Sequence, residues 1–204
     1  MWKPWTEIDW DAPRPAKRQL KASKSRIRFT PASVNSPAAL SLIDTFRSLF
    51  VNGGAHIAAF TVDQVDDAAH WFFSRNRFDE YGFIDLLLTS DALVTAIPDL
   101  LPVRSDPMAA EFVSASPLTF DGSLAGSLVW GGPYRSFDGS HADAKRAGVA
   151  VSAELIGDRY EDFQIDQSHG AWSEWFCGIA WDRTWILTDC RNERVTPICI
   201  TDTD

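Results

Sequence analysis

The C-terminal stretch WSEWFCGIAWDRTWILTDCRNERVTPICI, residues 172–200, decides the fold. Its runs 172–181, 184–189 and 195–200 are rich in Trp, Ile, Thr and Val, and Asp182-Arg183 and a polar turn separate them. Aromatic and β-branched runs bounded by turn residues predict strands, here the three strands of an antiparallel meander. With Asp182 and Arg183 as a two-residue loop, Trp181 faces Thr184, Ala180 faces Trp185 and Gly178 faces Leu187. That register sets large side chains opposite small ones.

Upstream of the meander, residues 140–157 predict a helix. Ser140 stands at its cap, Asp143 in its first turn, and Ala144, Ala147, Val151 and Leu155 on one side, with Gly157 just past its end. Before it, 118–120 and 124–130 read as Gly-rich extended segments. The repeated Phe-Asp-Gly-Ser at 120–123 and 137–140 is two turns, because the flanks diverge at once.

The first half is helical in pattern. Ser36 and Pro37 open a helix with the stripe Leu40, Ile43, Phe46, Leu49 and Phe50, stopped by Asn52-Gly53-Gly54. Thr61 and Gln64 have capping-box spacing for a second helix running to about Asn76, with Val65, Ala69, Phe72 and Phe73 inward and Asp63, Asp66, Asp67 and His70 outward. Ser90 predicts a short helix ended by Pro98, and Asp106-Pro107 repeats that signal before 108–113. Residues 83–88 are too short to classify. Residues 26–30 and 56–60 predict short strands, the first ended by Pro31. Helices first and a late antiparallel sheet give an α+β fold: a helix-rich first half packed on a mostly antiparallel sheet, with helices expected on one face. An irregular Trp, Pro and basic arm at 1–24 precedes a single domain at 25–204. Trp2, Trp5 and Trp10 are its expected anchors.

Composition limits function. With 204 residues, 45% of them hydrophobic, 12 Gly and 11 Pro, the chain is globular, not collagenous or disordered. No apolar run approaches the roughly 20 residues of a membrane span. The start MWKPWTEIDWDAP places Trp and acids where a signal peptide has a basic and then an apolar stretch, so the expected location is the cytoplasm, with no membrane partner. The formal charge is −9. Residues 1–35 hold eight cations (Lys3, Arg14, Lys17, Arg18, Lys21, Lys24, Arg26, Arg28) against Glu7, Asp9 and Asp11, a balance of +5, which leaves −14 on the rest. A body that acidic repels phosphates, so no nucleic acid is expected. Arg14, Lys17, Arg18 and Lys21 share a helical face, and the basic stretch is expected to lie against the chain's own acids.

Catalytic and metal signals are weak. Cys177, Cys190 and Cys199 lie in what reads as buried strand, and their spacing, even with His169, matches no zinc site. Asp66 and His70 form an i,i+4 pair on an acidic helix surface. Were the chain an enzyme, His141 with Asp143, and His169 with Asp166, are the acid–imidazole pairs to consider, although no nucleophile motif accompanies them. Neither metal nor cofactor is expected. The nine tryptophans are the least ordinary feature, and Trp172, Trp175, Trp181, Trp185 and Trp130 are the candidate binding anchors.

The expectation is therefore a non-catalytic, acidic binding protein of inhibitor or immunity type that holds a basic protein partner, an analogy of composition alone. The alternatives are a small enzyme or ligand-binding domain with a pocket near His141 and His169, and a self-associating assembly subunit that uses its N-terminal arm.

Overall fold

Two neighbouring strands carry the core. β6 (Arg183–Asp189) and β7 (Arg194–Thr201) pair antiparallel with Trp185 opposite Ile198 and Leu187 opposite Thr196. Alternation sends Trp185, Leu187, Ile198 and Ile200 into one apolar cluster, and Ile186, Val195 and Cys199 into another on the opposite face. Strands buried on both faces read as unbroken apolar runs. The sheet therefore has helices on both faces, where the sequence suggested one.

The computed structural model describes residues 7–104 and 111–204; Trp2, Trp5, Lys3 and the Asp106-Pro107 signal lie outside them. The other strands are β1 (Arg28–Ala32), β2 (Gly54–Ile57), β3 (Ala59–Asp63), β4 (Val113–Ala115) and β5 (Phe163–Ser168). Their order is β1-β3-β7-β6-β5-β4, and β2 pairs with the far end of β7. Every pairing is antiparallel. The expected 56–60 strand is thus two, broken at Ala58, whose N–H still reaches the Pro197 carbonyl at 3.2 Å. Pro31 does not end β1 but lies inside it, as an edge strand permits.

One face carries α2 (Pro37–Leu49), α7 (Phe120–Trp130) and α8 (His141–Leu155). The other carries α3 (Asp67–Phe73), α4 (Phe78–Tyr81), α5 (Phe83–Leu88) and α6 (Asp91–Ala96). The helices α2, α6 and α8 start where their caps predict. Ser36, Ser90 and Ser140 accept from the N–H groups of Ala39, Leu93 and Asp143, and Gly157 closes α8 at φ +62°. Among the described residues no helix is long and apolar enough to cross a membrane.

Four further expectations are corrected. The Thr61–Gln64 box does not form: Thr61 belongs to β3, and Asp66 caps α3 by accepting from Ala69 N–H, so that helix starts later and ends at Phe73, not Asn76. Residues 118–120 and 124–130 are not extended: Pro117–Thr119 is a 3-10 turn and Phe120–Trp130 is the helix α7, which α8 approaches closely at its own Gly148. A Cβ on Gly148 would lie 2.2 Å from the Asp121 carbonyl oxygen, and packing this tight overrides the poor helix propensity of glycine. Part of the arm is regular, with α1 (Lys17–Lys24) packed against α3. Finally, 172–181 is not a strand. Asp182 accepts from the N–H groups of Cys177, Gly178 and Ile179, curling this segment into a loop, so the first strand of the meander is β5 and the 181–184 hairpin does not exist.

Candidate functional site

A cavity of about 870 Å³ opens beneath the N-terminal arm. One wall comes from α3 and the turn after it. Ala69, Phe72 and Phe73 point into the core, which leaves His70 and Trp71 on the outer side, and a left-handed Asn76 (φ +52°) returns the chain to Phe78. Residues 161–164 and the β6–β7 turn at 190–192 supply the facing wall.

Residues 8–12 cross the opening as a strap. Arg75 holds it: the guanidinium stacks 4.5 Å from the Trp71 ring centroid and 5.4 Å from that of Trp10, and Nη2 donates to the Asp9 carbonyl at 2.7 Å. Trp71 Nε1 donates to the Ala12 carbonyl at 2.8 Å. An Arg between two indoles keeps its charge while burying its flat faces. Further along the arm, Arg14 pairs with Glu80 and Arg26 with Asp66, each at 2.6 Å, so both cations meet the chain's own acids.

The far wall is braced by ion pairs. Arg159 grips Asp189 through both terminal nitrogens at 3.0 and 2.7 Å, and Arg191 Nε lies 3.1 Å from Asp162. Burial works to raise the Asp189 carboxyl, but hydrogen bonds from Arg159 and Asn192 outweigh it and hold it below its ordinary value. Cys190, between these acids, is pushed up to about 12 by burial and then by Asp189. It stays a thiol at neutral pH and is a poor nucleophile. Asp67 and Glu161 reach the cavity as exposed carboxylates with no ion pair among the described residues.

Asp166 lies close behind this wall. It is only 2% exposed on β5. Gln164, which lines the cavity, donates to its Oδ1 at 3.1 Å, while Oδ2 is buried without a hydrogen-bond partner. Burial lifts this carboxyl to about 6, against the Gln164 hydrogen bond and with a smaller push from the charge of Asp79. The native state thus holds this proton more tightly than the unfolded chain, whose ordinary value is near 3.8. The stability it contributes is full below about pH 4, falls as the pH rises, and is lost above about pH 6. Burying the charge then costs roughly 3 kcal/mol. Asp166→Asn is expected to stabilise the protein by about 1–3 kcal/mol at pH 7.5 and to be neutral near pH 4. Urea unfolding at both values checks this, and destabilisation at pH 7.5 would mean that the charge has a partner.

The other sequence-derived candidates fall elsewhere. Neither His141, Asp143, Asp166 nor His169 lines the cavity, which instead contains His70. His141 is exposed at the start of α8. Asp143 forms a capping box with Ser140 and pairs with Arg146, and these contacts, the Ser140 hydroxyl first, draw its carboxyl down to about 2. As a base it is already occupied. His169 is exposed beyond the end of β5, and partial burial and Arg183 lower its pKa. Asp66 caps α3 and binds Ser23 and Arg26 rather than serving a site with His70. Among the described residues no group of three or more His, Cys, Asp and Glu side chains is placed to hold a metal. The cysteines differ from the buried-strand expectation, since Cys177 is exposed in the 172–181 loop.

The tryptophans divide by environment. Trp172 and Trp185 are core residues with less than 2% exposure. Trp175 is half-buried, 4.9 Å from the His56 ring, and Trp181 is half-buried with an unpartnered indole N–H. Trp130 is 60% exposed, under the guanidinium of Arg183. The cleft residues Trp71, Arg75, Phe163 and Arg191 were not singled out by sequence reasoning. The outward position of His70 on the predicted helix was the one available signal, because the walls come together only through the sheet. No protein-family model matches the chain, and no curated protein matches it.

Proposed function

We propose that the protein is a non-catalytic binding protein of inhibitor or immunity type, which holds a basic protein partner against its acidic helical face. The observation that supports this reading is a segregation of charge. From 78 to 103 the chain carries Asp79, Glu80, Asp85, Asp91 and Asp99 and no Lys or Arg. Glu80 and Asp99 have partners in Arg14 and His56, whereas Asp79, Asp85 and Asp91 are exposed with no ion pair among the described residues. The cavity adjoins this face at Phe78 and adds Asp67 and Glu161 to its rim. Clustered unpaired acids attract and orient a basic protein, and an aromatic-walled cleft beside them gives a side chain of that partner a place to insert.

The test is affinity capture from the host lysate at low and high salt, read by native mass spectrometry, with wild type and an Asp79→Asn, Asp85→Asn, Asp91→Asn variant. The reading expects a stoichiometric basic protein that is lost at high salt and associates roughly tenfold more slowly with the variant. Capture indifferent to both salt and the variant would overturn it. A second reading is favoured by the cavity itself. Its volume and aromatic lining suit a small ligand, and a bound small molecule surviving purification would replace the first reading with this one. Among the described residues no observation favours the assembly reading, and Trp10, one of its expected anchors, stacks on Arg75 of its own chain.

A further inference from the structure

Arg183 differs from the other cations of this acidic chain. It is half-buried at the start of β6. Among the described residues its side chain has no carboxylate and no hydrogen-bond acceptor, and the Trp130 ring centroid lies 5.7 Å from the guanidinium carbon. Neither neighbouring acid pairs with it. Asp182 is fully buried and accepts from three backbone N–H groups and the Thr201 hydroxyl. Asp202, two residues beyond Ile200, the register partner of Arg183, accepts from Asn52 N–H through Oδ1, while its Oδ2 is buried without a hydrogen-bond partner and makes no ion pair with Arg183. His169 is close enough for Arg183 to disfavour its charged form. A partly desolvated guanidinium without a counter-charge is unfavourable unless a ligand supplies one.

We infer that Arg183 and Trp130 form a binding site for a planar carboxylate, separate from the acidic face and from the cleft. The pieces match that chemistry. The guanidinium fork takes both oxygens of a carboxylate. Trp130, 60% exposed at the C-terminal end of α7, offers an open indole beside it for the group that bears the carboxylate. One uncompensated positive charge suits a monoanion. A phosphate dianion would need a second cation, and a chain of net charge −9 repels it more strongly.

Side-chain NMR with benzoate and inorganic phosphate as separate probes tests the site. With benzoate, the Arg183 Nε–H and Trp130 indole N–H signals are expected to shift together and saturate, while those of the exposed Arg18 change only linearly. Arg183→Gln should abolish saturation at Trp130. Arg183→Lys, which keeps the charge and the fold but loses the fork, should weaken binding about tenfold, and Trp130→Leu at least fivefold. A linear response at Arg183 equal to that at Arg18 would mean counter-ion attraction alone and would overturn the site. Phosphate binding as tightly as benzoate would overturn the carboxylate assignment, as would unchanged affinity in Arg183→Lys.

Discussion

Asp182→Ala is expected to destabilise the protein by at least about 3 kcal/mol and to release the 172–181 loop from the sheet. The carboxylate is wholly buried and accepts from the N–H groups of Cys177 (3.3 Å), Gly178 (2.6 Å) and Ile179 (3.2 Å) and from the hydroxyl of Thr201. Alanine leaves these donors unsatisfied, and a buried donor without a partner costs about 1–3 kcal/mol. Asp182→Asn keeps the shape and one acceptor oxygen, so its loss should be about half as large. Urea unfolding measures the cost, and hydrogen exchange at Gly178 and Ile179 reports the loop. A loss below about 1 kcal/mol for the alanine variant would show that the loop is held by its aromatic packing instead.

Trp172→Ala should cost about 3–5 kcal/mol, the range for deleting a buried large aromatic side chain. Trp172 has no exposed surface, its Nε1 donates to Thr184 Oγ1 at 2.8 Å, and its ring lies 5.2 Å from that of Phe176. It ties the same loop to the α3–α6 side of the sheet, so it and Asp182 secure opposite ends of one segment. Trp172→Phe retains most of the apolar volume and loses the hydrogen bond, for a cost of about 1–2 kcal/mol. Trp130→Ala is the control, with a change within about 0.5 kcal/mol, because that indole is 60% exposed. Equal losses at Trp172 and Trp130 would contradict the division into core and surface tryptophans.

Where the determinants are local, the fold is legible in the sequence. Ser36 with Pro37, Ser90, and Ser140 with Asp143 and Gly157 fixed the starts or ends of helices, because a cap is settled within four residues of chain. The strand character of 184–189 and 195–200 was equally plain, since both faces of these strands are buried. Elsewhere a distant partner chose between two local options. Residues 120–130 are rich in Gly and Ser, and it is contact with α8 and the Trp185 indole, which donates to Ser123, that rewards the helix. Residues 172–181 have strand-like composition, but Asp182 offers their N–H groups an acceptor closer than any neighbouring strand, and Thr201 of β7 holds that carboxylate in place.

The candidate site was less legible than the fold. The acidic stretch from 78 to 103 is visible in the sequence. The cleft is not, because its walls come from residues near 10, 75, 162 and 191, and no local pattern states that they meet. The same holds for Arg183 and Trp130, more than fifty positions apart. By itself, then, the sequence determined the α+β class, the capped helices, the two central strands and the segregation of charge, all of which follow from local sterics, side-chain period and composition. Only the tertiary structure decided that helices cover both faces of the sheet, that two of the clustered tryptophans are core and two half-buried, and which charges remain unpaired. Burial and pairing are properties of contacts between distant segments, and those exist only once the sheet has brought the segments together.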